Sequence, residues 1–173
     1  MRRIGPYEVT GELGRGGMGV LYRARDPSLA REVAIKLVRV QSPDQRRRLA
    51  REAELLARLD HPNIVAVHAA GELDDQVYVV MPLVPGESLA ARLERGPLAP
   101  GDAAALGLRL ARAVAHGHER GVLHRDVKPA NVLLPPGAEP RLCDFGLARD
   151  MTTDRSALTR RGTVLGTVGF ASP

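Results

Sequence analysis

The sequence predicts an α+β chain, a β-rich first part with one main helix followed by a mainly helical second part. Three observations predict it. Apolar, β-branched segments recur through the first forty residues. A run rich in Arg, Ala, Leu and Glu then opens at Pro43 and contains no glycine or later proline as far as Leu59. Further on, Ala103–Ala115 combines leucines with small residues nearly all round, the composition of a buried helix.

Taken in order, Tyr7–Leu13 and Val20–Arg25 read as strands flanking Gly14-Arg15-Gly16-Gly17-Met18-Gly19. Glycines let backbone N–H groups turn toward an anion and approach it without Cβ obstruction. A dinucleotide-binding fold would need a helix opening at the last glycine, yet Val20–Arg25 looks extended. A P-loop would need Gly-Lys-Ser or Gly-Lys-Thr, which is absent. Two readings remain at this point, a glycine hairpin closing over phosphates and a plain flexible turn.

Val33–Val38 is the next strand. Alternation puts Ala34, Lys36 and Val38 on one face and Val33, Ile35 and Leu37 on the other. Among 25 Lys and Arg residues only Lys36 and Lys128 are lysines. An ammonium is a point charge and a guanidinium a planar fork, so the two are not interchangeable at a tight site. An amine between apolar neighbours needs an anion, either a carboxylate or a phosphate. The helix expected over Pro43–Leu59 offers the carboxylate. Its inward stripe is Leu49, Ala53, Leu56 and Leu59, and Glu52 falls within it. Glu54 lies outward with Arg51 and Arg58. A plain i,i+4 pair of Glu52 with Arg48 is the alternative.

The second lysine sits in His124-Arg125-Asp126-Val127-Lys128-Pro129-Ala130-Asn131. Two apolar triplets follow, separated by a turn over Pro135–Pro140. Paired as a hairpin, they are expected to set Leu134 opposite Arg141 and Asn131 opposite Asp144. An amide oxygen and a carboxylate so placed suit Mg²⁺, which takes a few protein oxygens plus waters and phosphates.

Gly14-x-Gly16-x-x-Gly19, Val33-Ala34-Ile35-Lys36, Glu52, His124–Asn131 and Asp144-Phe145-Gly146 occur in the order seen in protein kinases, and the chain resembles that family over essentially its whole length. The wording of the glycine loop and of His-Arg-Asp-Val-Lys-Pro-Ala-Asn is most similar to bacterial serine/threonine kinases of the eukaryotic (Hanks) type. The resemblance implies a two-lobed fold. Residues 7–84 would form a small antiparallel β lobe with one main helix, and residues 85–173 an incomplete, mainly helical large lobe. Ala171-Ser172-Pro173 resembles the start of an Ala-Pro-Glu element, so a partial kinase domain is expected.

The resemblance also implies roles. The backbone around Leu13, Gly14, Gly16 and Gly19 would cover the phosphates of ATP. Lys36, positioned by Glu52, would hold the α- and β-phosphates. Asp126 would accept or orient the substrate hydroxyl proton, Lys128 would neutralise γ-phosphoryl charge, and Asn131 and Asp144 would bind Mg²⁺. Leu21, Ala34 and Leu133 would enclose the adenine, with Met81 as gatekeeper and Val84 bonding from the hinge. Leu21 replaces the usual valine and Pro82 the acidic residue common at the hinge. Leu147–Phe170 would be an activation segment. In it Thr159 is the first phosphosite candidate, followed by Thr163 and the Thr152-Thr153 pair, and Thr167 would meet the substrate. The implied partners are proteins with Ser/Thr hydroxyls, the kinase itself included, and a second kinase copy. A small-molecule phosphotransferase and a catalytically silent nucleotide-binding scaffold are the rival readings.

Composition adds bounds. A hydrophobic fraction of 44% with 26% charged residues fits a soluble globular chain. The net charge of +5 is arginine-driven and comes without interleaved aromatics, so no nucleic-acid partner is implied. One cysteine, Cys143, precludes an internal disulfide, fits a reducing cytosol and is expected to be a small core residue. No signal peptide or spanning apolar run occurs, so a cytoplasmic chain is expected, a tether beyond Pro173 being left open. His116, His118 and Glu119 could mimic a metal cluster, with packing the favoured reading.

Overall fold

The structure is a computed structural model that describes residues 2–16 and 19–145. The chain divides into two compact units, Met1–Arg58 with Ala66–Val84, and Leu59–Val65 with Pro85–Pro173.

In the first unit the described residues form a six-stranded sheet in the order β1-β2-β3-β4-β6-β5. The strands are β1 (Arg3–Ile4), β2 (Tyr7–Gly16), β3 (Gly19–Asp26), β4 (Arg31–Arg39), β5 (Ala69–Leu73) and β6 (Gln76–Pro82). All pairings are antiparallel. Central β4 is buried on both faces from Val33 to Val38. Val33, Ile35 and Leu37 pack with Ile4, Tyr7, Tyr22, Ala24 and Val80 in one apolar cluster. The other face of β4 carries Ala34, Lys36 and Val38, as alternation predicts.

Helix α1 spans Pro43–Leu56 and covers β5 and β6. It starts where the sequence predicts. The Ser42 hydroxyl accepts the Gln45 amide at 3.2 Å, and Gln45 Oε1 accepts the Gln41 amide at 2.6 Å, a reciprocal cap. It stops three residues before the expected Leu59. The Arg58 amide already tightens onto Leu55 O, an i→i+3 bond that closes the last turn. Leu49, Ala53, Leu56 and Leu59 are nonetheless all buried.

The second unit holds β7 (Glu87–Ser88), α2 (Leu89–Leu93), α3 (Pro100–Glu119), a 3-10 turn (Pro129–Asn131), β8 (Val132–Leu134) and β9 (Arg141–Leu142). The short strands form one sheet, β7-β8-β9. Two expectations are corrected here. Leu133 pairs with Arg141 and Val132 with Leu142, so the hairpin register lies one residue from that expected. Asn131 O therefore accepts the Cys143 amide, not that of Asp144. The connection over Pro135–Pro140 leaves Leu134 outside this pairing and takes up the extra residue.

The second correction concerns α3. The helix exists, but only Ala113 and Gly117 are buried, while Leu108 is 54% exposed. Small residues permit close approach only where an element arrives. At Gly117 one does: an added Cβ would lie 3.1 Å from both Phe145 Cε1 and Val122 O.

Candidate active site

In the first unit, the glycine run lies at the β2–β3 turn, with Gly16 opposite Gly19 and Gly14 opposite Leu21. β2 runs past the expected end at Leu13, which sits at a register shift between Glu12 and Gly14 and is half-exposed. The glycines differ in what demands them. Gly19 has φ +138°, and a Cβ there would fall 2.1 Å from Leu37 O, so the fold itself excludes a side chain. At Gly14 and Gly16 an added Cβ would meet nothing within 4 Å. Packing among the described residues does not explain why those two positions lack side chains.

Lys36 lies mid-strand on β4, with Leu21 as its β3 neighbour and Val79 as its β6 neighbour, and is only 8% exposed. Ala34 pairs with buried Met81. Glu52 is half-buried on α1, and its Oε2 is closed to solvent, whereas Glu54 is exposed as expected. Val84 ends the unit just after β6.

In the second unit, the loop from His124 to Asn131 is fastened from both ends. Buried His124 accepts the Asp126 amide at Nδ1 (3.2 Å), which leaves Nε2–H to donate to Cys143 O at 2.9 Å. Its ring packs on Phe145 with centroids 4.4 Å apart. Burial, the largest influence, keeps its pKa below the ordinary range against the pull of the Cys143 carbonyl and of Asp126 and Asp144, so the ring is held neutral. Asp126 Oδ2 receives Lys128 Nζ at 2.8 Å and Asn131 Nδ2 at 3.2 Å, and Asn131 Nδ2 also reaches Asp126 O at 2.8 Å. The amide nitrogen of buried Asn131 is thus committed to Asp126, and its oxygen is the end suited to a hard cation. Asp144 follows β9 with φ +63°, and Arg125 carries φ +65°. Such left-handed backbone in non-glycine residues is strained and re-aims the side chain. The donor set of an amide oxygen and a carboxylate fits Mg²⁺, which completes its shell with water and phosphate oxygens.

Leu133 lies on β8, half-buried. Cys143 is also only half-buried, against the core position expected, and its Sγ donates to Asn131 O at 3.3 Å. Thr152, Thr153, Thr159, Thr163 and Thr167 lie outside the described residues. Among the described residues no cluster of three or more His, Cys, Asp or Glu is placed to hold a metal, so His116, His118 and Glu119 form none. Nor is any helix there long and apolar enough to cross a membrane.

Two contributors went unassigned in the sequence reading. One is His124, the strut just described; its place two residues before Asp126 was the available signal. The other is buried Asn63, whose Nδ2 donates to Pro140 O at 2.8 Å and whose O accepts the Leu142 amide at 2.8 Å. His61-Pro62-Asn63, standing just past the helix, was the signal there.

A hairpin of glycines before a buried strand lysine, an inward helix glutamate, and an Asp–Lys–Asn knot beside Asp144 define a protein kinase domain. The profile of that family matches residues 7–173, and the chain belongs to it. Among its relatives is the serine/threonine-protein kinase PknD of Mycobacterium tuberculosis, 42% identical over 99% of this chain and 26% of PknD. PrkC of Bacillus subtilis is 38% identical over 99% of this chain and 27% of PrkC. The crystal structure of the Mycobacterium tuberculosis PknI kinase domain superposes with a TM-score of 0.77 at 37% identity, covering 85% of this chain and 62% of that one. The chain therefore spans about a quarter of the length of these curated relatives.

Proposed function

We propose that the protein transfers the γ-phosphoryl group of ATP to serine and threonine hydroxyls of proteins, its own included, as a bacterial signalling kinase. The carrying observation is the grip on Asp126, whose Oδ2 receives Lys128 Nζ at 2.8 Å and Asn131 Nδ2 at 3.2 Å while its amide is tied to His124. An aspartate held at its carboxylate by two donors and at its amide by His124 is suited to orienting a hydroxyl, and phosphoryl transfer asks the protein mainly for positioning and charge stabilisation. The hydroxyl oxygen would bond to the γ-phosphorus as the bond to the β–γ bridging oxygen breaks, with the proton passing toward Asp126 and ADP leaving. Lys128 would balance charge on the moving group. In the first unit, Lys36, positioned by Glu52, would hold the α- and β-phosphates. The backbone at Leu13, Gly14, Gly16 and Gly19 would cover them, and Leu21, Ala34, Met81 and Val84 would receive the adenine. Mg²⁺, bound by Asn131 and Asp144, would neutralise phosphate charge. The activation segment would be phosphorylated first at Thr159, ahead of Thr163, with Thr167 facing substrate.

The test is incubation of the protein with labelled ATP and Mg²⁺, followed by mapping of phosphorylated residues. Asp126→Asn should retain nucleotide binding and cut turnover by about 10²–10⁴-fold, the range for a positioned base. Label appearing on aminoglycosides but not on protein, or ATP binding with no transfer to any acceptor, would overturn the reading.

A further inference from the structure

We propose that the segment His61–Val65 is a proton-responsive latch, which protonation of His61 against the His116 ring releases from α3 and β9. His61 Nδ1 accepts the Asn63 amide at 3.1 Å, so it must carry no proton. The His61 and His116 rings lie 5.1 Å apart, tilted by 51°. His116 Nε2 is closed to solvent and has no hydrogen-bond partner among the described residues. A proton on His61 Nδ1 removes the acceptor for Asn63 and sets a charge against the His116 ring. Burial first and His116 second hold the pKa of His61 below the ordinary range, while Asp60 opposes them. The other charged groups around the pair do not offset this. Arg120 donates to His116 O at 3.2 Å and pairs with Glu119 at 3.6 Å. His118, also on α3, is exposed. From the turn before β9, Glu139 reaches Asn63 Nδ2 at 3.4 Å and is itself held by Arg109 of α3 at 2.8 Å.

The latch matters because of what it fastens. Asn63 O accepts the Leu142 amide at 2.8 Å, and the Val65 amide donates to Leu142 O at 2.9 Å. β9 thus has the latch along one side, two residues before Asp144. In the open form His61 titrates near its free value of about 6.5, and in the closed form lower. The opening constant therefore rises as pH falls below 6.5, by up to about tenfold per pH unit.

Hydrogen exchange at the Val65 and Leu142 amides, corrected for intrinsic rate, reads this opening directly and does not depend on phosphoryl transfer. Between pH 7.5 and 5.5 it should accelerate in the native protein. His61→Asn keeps an oxygen that can accept the Asn63 amide, as asparagine does in Asx turns, and should flatten the response. His116→Gln removes the ring that helps to lower the pKa of His61 and should shrink it. Exchange that does not change with pH in the native protein overturns the latch. So does an undiminished response in His61→Asn or, should that variant fail to fold, in His116→Gln.

Discussion

His124 donates from one ring nitrogen and accepts at the other, which fixes a single tautomer and ties the backbone of Asp126 to that of Cys143. Replacing it with phenylalanine preserves the packing on Phe145 but strands the Asp126 amide and the Cys143 carbonyl. Each stranded group costs about 1–3 kcal/mol when kept from water. His124→Phe should therefore lower the urea midpoint at unchanged slope, and the loss should be smaller for His124→Gln, which can still reach one of the two groups. Equal midpoints for native protein and His124→Phe would show that the strut contributes nothing. At this scale the sequence singles out candidates for the chemistry, because Lys36 and Lys128 stand alone among arginines. It does not expose the strut, since a histidine beside an aspartate looks the same whether it binds, titrates or braces.

Elements were legible where one face is buried. α1 shows this well: Leu49, Ala53 and Leu56 recur at helical spacing, the run opens at Pro43, and all three apolar residues are buried. Leu49 is 1% exposed, and Leu49→Ala should cost about 2–5 kcal/mol through lost contacts and the cavity left behind. Calorimetry reads that loss, while Leu55→Ala, at 40% exposure, should shift the midpoint far less. The β8–β9 register was harder. A pairing constant assumes that the turn consumes all residues between the triplets, and the fold leaves Leu134 out of the β9 ladder and pairs β7 with it instead. The exposure of α3 was illegible for another reason. Leucines among alanines and glycines say that a helix can be approached closely, whereas burial is decided by whether other elements come.

Across the molecule, three histidines share one titration behaviour. His61, His68 and His124 all have depressed pKa values, each with burial as the leading cause. His68 also faces Arg31, whose Nη1 lies 3.2 Å from Nε2 and requires that nitrogen unprotonated. A depressed histidine binds fewer protons folded than unfolded. Its contribution to stability is thus complete above the unfolded value near 6.5 and is lost as pH falls through the lower folded value. The denaturant midpoint should hold steady from pH 8 to about 7 and decline below 6.5. A midpoint that rises on acidification from pH 6.5 to 5.5 would contradict the assignment of all three as neutral.

The open surroundings of Gly14 and Gly16 also make them attachment points. The Cβ of a cysteine at either would meet nothing within 4 Å among the described residues, and Cys143 is the chain's single native thiol. In a Cys143→Ser background, a bulky label coupled at position 14 should weaken the proposed binding of ATP while leaving the sheet beneath it undisturbed.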